Sequence, residues 1–195
     1  SPAWSFGYHM LETAGNEYQN ATATGMCLTV VATQATYEKD SIDDQYDKDA
    51  KYPILVTTGD ELQDIVSNAT APVNIVLANS ITTNNFVIPA GKDVTLDLNG
   101  FMLTGGDSHA ILNRGKLCIK DNSGDGKIVA SKANTSALRN GDGAVCVIDG
   151  GTFTRADGED NKWHTVENFG TMTFNGGKVI AEDGQSFAIV NGWNY

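Results

Sequence analysis

Ala110-Ile111-Leu112-Asn113, Ala137-Leu138-Arg139-Asn140, Thr165-Val166-Glu167-Asn168 and Ala188-Ile189-Val190-Asn191 are four writings of one phrase, spread through the stretch from Val94 to Gly192. The asparagines fall 27, 28 and 23 residues apart. A short alternating apolar run follows the first three phrases: Leu117-Cys118-Ile119, Cys146-Val147-Ile148 and Met172-Thr173-Phe174. The second and third runs end in a polar residue and paired glycines, Asp149-Gly150-Gly151 and Asn175-Gly176-Gly177. A further phrase closes each unit: Lys127-Ile128-Val129-Ala130, Thr152-Phe153-Thr154 and Lys178-Val179-Ile180-Ala181. Repeats of this length dictate architecture before any other feature does.

The phrases recur in the same order, which is translation rather than the reversal a hairpin meander needs. Stacking the units pairs each strand with its equivalent one coil on, in parallel and ~4.8 Å away. Like side chains then stack. Leu117, Cys146 and Met172 should form one inward column and Ile119, Ile148 and Phe174 another. Asn113, Asn140, Asn168 and Asn191 should form a ladder at one corner, each amide bonding the residues above and below. This spacing assigns the asparagines to architecture rather than to catalysis.

Outward from the repeat, Val94, Leu96 and Leu98 alternate with Thr95 and Asp97, a strand of period two ending in Asn99-Gly100. Residues 58–69 read as a helix. Thr58 and Glu61 have capping-box spacing, and Leu62, Ile65, Val66 and Ala69 make one apolar stripe. That stripe must be buried, and the open end of a stacked-strand core is the obvious partner. Residues 1–36 lack the repeat. Trp4, Phe6, Tyr8 and Met10 alternate there, either as an adhesive arm or as part of a small core of their own. Met26 to Val31 reads as a buried strand, and residues 38–51 as a solvated acidic linker. The division expected is a 1–56 attachment or oligomerisation segment and a 57–195 capping helix with β-helix.

The chain has 195 residues, 13 Lys and Arg against 24 Asp and Glu, and a net charge of −11, which argues against nucleic acid as a partner. Its 21 glycines and 4 prolines suit strands joined by tight turns. No apolar run approaches the ~20 residues of a membrane span. Cys118 and Cys146 read as occupying equivalent repeat positions, as two small buried hydrophobes or, alternatively, a disulfide; Cys27 is the odd one out.

The segment Asp60 to Gly100, with Ile88-Pro89-Ala90-Gly91-Lys92-Asp93-Val94-Thr95-Leu96-Asp97-Leu98-Asn99-Gly100 after a capping helix, resembles the opening of right-handed parallel β-helices of the pectate-lyase-like superfamily. The later coils are similar to those of surface and fibre proteins of gut bacteria and their phages. The resemblance covers about residues 58–195. It implies an all-β fold, a right-handed single-stranded parallel β-helix of about four to five coils, with an N-terminal capping helix and a small attachment segment. It says little about function, since this fold hosts lyases, hydrolases, adhesins and virion spikes alike.

The hydrolase signatures of that superfamily are absent: no paired aspartates, no Gly-His-Gly step, no Arg-Ile-Lys step. Arg114, Arg139 and Arg155 do not share a repeat position, and Glu167 stands alone. Asp121-Asn122-Ser123-Gly124-Asp125-Gly126 matches half a calcium loop, but Lys132 stands where the loop needs a bidentate Glu, so a Gly-rich turn is the expected role. His9, His109 and His164 are too scattered for zinc. No catalytic residue, metal or cofactor is assigned. The polar insertion from Thr154 to His164 is the expected glycan contact, through Arg155, Asp157, Asn161 and Trp163, with Trp193 at the terminus. Trp163 either stacks a sugar or folds onto the coil. Trp193 and Tyr195 either cover the last coil or meet a neighbouring subunit.

The resulting expectation is a non-enzymatic virion surface protein: a phage head fibre, capsid decoration or spike module. It would be a homotrimer, bound to the capsid through its N-terminal segment and projecting its β-helix toward host glycans. The lack of a visible leader before Ser1 agrees with that reading. The alternatives are a fragment of a bacterial cell-surface adhesin, or a polysaccharide lyase or hydrolase.

Overall fold

The structure is a computed structural model, and it describes residues 53–156, 163–181 and 187–192. Strands are numbered in chain order. The first sheet stacks β1 (Ile54–Val56), β2 (Val73–Leu77), β5 (Asp93–Asp97), β8 (Lys116–Lys120), β11 (Val145–Ile148) and β14 (Thr171–Phe174). The second stacks β3 (Ile81–Thr83), β6 (Met102–Gly105), β9 (Lys127–Ala130), β12 (Thr152–Arg155) and β15 (Lys178–Val179). The third stacks β4 (Val87–Ile88), β7 (Ile111–Asn113), β10 (Leu138–Asn140), β13 (Val166–Asn168) and β16 (Ile189–Asn191). Every pairing is parallel, and successive strands go to successive sheets, so the chain is a parallel β-solenoid of about five turns. The repeat phrases therefore lie where translation places them: Leu138 faces Ile111 and Val166, and Asn140 faces Asn113 and Asn168.

The core is a set of columns running along the stack. Leu117, Cys146 and Met172 are in register, as are Ile119, Ile148 and Phe174. Phe153 sits between Ile128 and Val179 in the second sheet. Most of these side chains are fully buried, but Phe174 on the last coil is 41% exposed, because among the described residues nothing stacks beyond it. The Asn99-Gly100 step is left-handed at both residues (φ 48° and 80°), the backbone that turn requires.

One expectation changes. The register pairs Cys118 with Val147 and Cys146 with Leu117. With period two, that puts Cys146 inside the coil and Cys118 outside it. The two thiols are free, on opposite faces of the sheet, and do not stack. The Cys118 thiol instead donates to the Asp149 carboxylate at 3.5 Å.

Helix α1 (Gly59–Asn68) buries Leu62 and Val66 against the first coil. The Thr58 hydroxyl accepts from the Glu61 amide at 3.3 Å. The return bond of the expected capping box is displaced by one residue: the Glu61 carboxylate accepts from the Thr57 amide at 2.9 Å, not from Thr58. The helix also closes a strand edge. The side-chain oxygen of Gln63 accepts from the Val87 amide at 2.8 Å and its nitrogen donates to the Val87 carbonyl at 3.1 Å. One side-chain amide thus stands in for a missing neighbour of β4, satisfying backbone groups that an open edge would leave exposed. No helix among the described residues is long and apolar enough to cross a membrane.

Candidate functional site

The corner between the third and first sheets is built by the asparagines. Asn113 Nδ2 donates to Asn140 Oδ1 at 2.8 Å, Asn140 Nδ2 to Asn168 Oδ1 at 2.8 Å, and Asn168 Nδ2 to Asn191 Oδ1 at 2.6 Å. Asn113 and Asn140 each donate as well to the backbone carbonyl that opens the next coil's first strand, Val145 and Thr171 respectively, at 3.0 Å. The buried amides of Asn113 and Asn140 have all their N–H groups spent within the fold.

The turns that leave this corner do face solvent. Asn113-Arg114-Gly115 and Asn168-Phe169-Gly170 are tight. A Cβ on Gly115 would lie 2.5 Å from the Pro89 carbonyl oxygen, and one on Gly170 2.3 Å from that of Ala144, so neither position accepts a side chain. The turn after Asn140 is two residues longer, through Gly141, Asp142 and Gly143, and tolerates Ala144 at the matching register. This longer turn makes the wall of a cleft.

The cleft holds about 490 Å³ and is lined by Ala90, His109, Leu112, Arg114, Arg139, Gly141 and Asp142. Its floor comes from the outer face of the third sheet, where Val87, Leu112, Arg139, Glu167 and Val190 are in register on successive coils. Arg139 and Glu167 are therefore direct cross-strand neighbours, and Arg139 Nη1 lies 3.1 Å from Glu167 Oε2. This corrects the sequence reading in which Glu167 stood alone. The repeat itself carried the signal, because Ala-Leu-Arg-Asn and Thr-Val-Glu-Asn put Arg and Glu at the same place in the phrase.

Glu167 is 2% exposed. Its Oε1 accepts from the Ser136 hydroxyl at 2.6 Å and from the Trp163 indole N–H. A carboxyl group buried this fully needs such hydrogen-bond partners in place of water. Arg139 is gripped on two sides, by Glu167 and by the Phe169 ring, whose centroid lies 4.9 Å from the guanidinium carbon. Glu167 engages only one of its N–H-bearing nitrogens, and the side chain is 39% exposed, so the rest of the fork remains available to the cleft. His109 Nδ1 accepts from the Ser136 amide at 2.9 Å. That contact fixes the neutral tautomer with its proton on Nε2. Burial lowers the imidazole's pKa, Glu167 opposes that shift, and Arg139 adds to it.

A second cleft, of about 740 Å³, adjoins the first and shares Ala90 and Arg114 with it; Lys92, Asp93 and Lys116 also line it. Lys92 Nζ donates at 2.6 Å to the Ala69 carbonyl at the C-terminal end of α1. There a cation meets the negative end of the helix dipole, so Lys92 is engaged in structure.

Among the residues expected to contact a glycan, Trp163 joins this face through Glu167 and folds onto the coil, its ring 5.2 Å from that of His164. Arg155 ends β12, is 4% exposed, and donates to the His164 carbonyl at 3.4 Å across the insertion. Asp157, Asn161 and Trp193 lie outside the described residues. Asp121, in the half calcium loop, uses its carboxylate on the Gly100 amide (2.9 Å), the Ser123 hydroxyl (3.2 Å) and the Gly126 amide (2.8 Å), which makes it a turn-former. Missed from sequence were His109, Arg114 and Arg139 as neighbours, since they come from three different turns and strands. No protein-family model, curated protein or solved structure matches the chain.

Proposed function

We propose that this chain is a non-enzymatic surface module of a virion, a head fibre, decoration or spike of the pectate-lyase-like superfamily, which presents its solenoid to host glycans and assembles as a trimer through residues 1–56. The observation that supports a recognition surface is the state of Glu167. The carboxylate beside the cleft is held by three donors, Ser136, Arg139 and Trp163, so its role is to order the face. A stack of coils tied by a buried ladder is also rigid, as a projecting element must be. The test pairs sedimentation of the full chain with binding to host surface polysaccharide. A trimer that binds glycan and leaves it intact supports the reading; a strict monomer with no glycan affinity overturns it.

One observation favours a second reading, polysaccharide lyase. The His109 Nε2–H and the Arg139 guanidinium flank one cleft, and β-elimination is helped by a cation and a hydrogen-bond donor that neutralise a sugar carboxylate. Release of unsaturated sugar ends, lost in His109→Gln, would replace the non-enzymatic reading with this one.

A further inference from the structure

The Glu167 carboxylate has little room for another donor. Its Oε1 takes the Ser136 hydroxyl and the Trp163 indole N–H, its Oε2 takes Arg139, and the residue is 2% exposed. A newcomer must therefore displace a donor already there. The three are not equally held. Arg139 is charged and is backed by the Phe169 ring. Ser136 is fully buried, and its carbonyl accepts from the Ala110 amide at 3.0 Å. Trp163 is a neutral donor and is half-buried, which makes it the weakest of the three.

Two histidines stand beside this carboxylate. His109 accepts from the Ser136 amide through Nδ1, which it can do only while that nitrogen carries no proton. His164 follows Trp163, with its ring 5.2 Å from the indole and 5.6 Å from Phe187. Burial is the largest influence on both and favours the neutral form. Glu167 pulls each the other way, opposed by Arg139 at His109 and by Arg155 at His164. The other charges around His109 are Arg114 and Asp142, which line the same cleft, and Asp107, two residues before it and paired with Lys132 at 3.6 Å. Cations and anions there balance, so the decisive change on protonation is in hydrogen bonding. A proton on Nδ1 sets two N–H groups face to face. The Ser136 backbone is tied to Ala110 and cannot follow, so the imidazolium must turn away. The carboxylate that already attracts it is Glu167, and a charge-assisted bond is about twice as strong as a neutral one.

We propose that Glu167 is an acid-operated clasp for Trp163: neutral His109 leaves the carboxylate to the indole, and protonated His109 takes the carboxylate over and frees the Trp163 ring. His164 loads the clasp in the same direction, because its charged form is also disfavoured beside the held indole. The clasp operates whatever the module binds, and it offers an unattached aromatic ring on this face only in acid. The proton comes from solvent and returns to it, so the change is reversible.

The experiment is a titration of the full chain carrying Trp4→Phe and Trp193→Phe, which leaves Trp163 as the single fluorophore of the 3 tryptophans. Indole emission and acrylamide quenching are followed between about pH 7.5 and 5. The ratio of freed to held Trp163 should rise about tenfold, the factor expected for one buried hydrogen bond, while far-UV circular dichroism stays constant. His109→Asn keeps an oxygen to accept from the Ser136 amide and takes no proton, so it should remove most of the rise. His164→Asn should keep most of it, and Lys127→Gln, on an exposed residue of the second sheet, should change nothing. The imidazole proton signals of the chain with its histidines intact give a measure that needs no histidine variant to fold: the Trp163 midpoint should coincide with the titration of His109. A Trp163 signal constant down to pH 5, an undiminished rise in His109→Asn, or a midpoint that follows no histidine overturns the clasp. Loss of the far-UV signal together with the Trp163 change overturns it as well, since the whole fold would then be opening.

Discussion

Replacing Asn140 with alanine should be among the most damaging single changes at the corner. The residue is fully buried, and its side chain makes three hydrogen bonds: it accepts from Asn113 Nδ2 (2.8 Å) and donates to Asn168 Oδ1 (2.8 Å) and to the Thr171 carbonyl (3.0 Å). At about 1 kcal/mol net for each neutral bond, the loss is about 3 kcal/mol. That figure is a floor, because one of the two Nδ2 hydrogens of buried Asn113 is left without a partner, although the other groups are partly provided for. Asn113 Nδ2 keeps the Val145 carbonyl, and Asn168 Oδ1 keeps the Gly170 amide at 3.3 Å. Asn191→Ala removes one contact at an exposed position on the last coil and should cost about 0.5 kcal/mol. In urea, with a slope of about 2 kcal/mol per M, Asn140→Ala should lower the midpoint by about 1.5 M and Asn191→Ala by a quarter of a molar or less. An Asn140→Ala midpoint within about 0.3 M of wild type, or an equal shift for both variants, would refute the claim that the ladder stabilises the corner through its buried bonds.

Three further outcomes follow from the same structure. Gly170→Ala should cost about 2–3 kcal/mol in thermal melts, since its Cβ would meet the backbone oxygens of Ala144 (2.3 Å) and Gly141 (2.5 Å). Gly143→Ala has open space and only its φ of 70° against it, so a loss of about 1 kcal/mol is expected, and a reversed order would sink the close-approach argument. Burial pushes the Cys146 thiol up to about 12, whereas Cys118, raised by burial and then by its bond to Asp149, is on the outer face. Peptide mapping after alkylation at mildly alkaline pH should find Cys118 modified slowly in the native protein and Cys146 only after unfolding; a Cys118–Cys146 crosslink would contradict the register. Burial lowers the pKa of His109 and of His164 below the ordinary 6.5. The unfolded chain therefore binds more protons than the folded one just below that value. Their favourable contribution is complete above about 6.5 and lost as pH falls through the lower folded values. Melting temperature should drop between pH 7 and 5, and His109→Asn should flatten the slope; an unchanged slope would remove His109 from the explanation.

The sequence by itself determined the coil. A phrase repeated in one direction, with apolar residues at period two, leaves parallel stacking as the way to bury every copy, and the columns from Leu117 to Met172 could be written down before any coordinates. It determined the capping helix as well, because an amphipathic stripe next to an open stack has one place to go. What it left undecided is everything perpendicular to the chain's own period. Gln63 reads as a polar helix residue until the Val87 edge lies beside it. Above all, Arg114, Arg139, His109 and Glu167 occupy separate turns and strands. Only the stacking of coils, which turns a separation of 28 residues between Arg139 and Glu167 into one strand spacing, makes them a single face. Repetition encodes the interior, where each copy meets its like. The surface departs from the repeat, and its chemistry exists only once unlike residues of neighbouring coils are brought side by side.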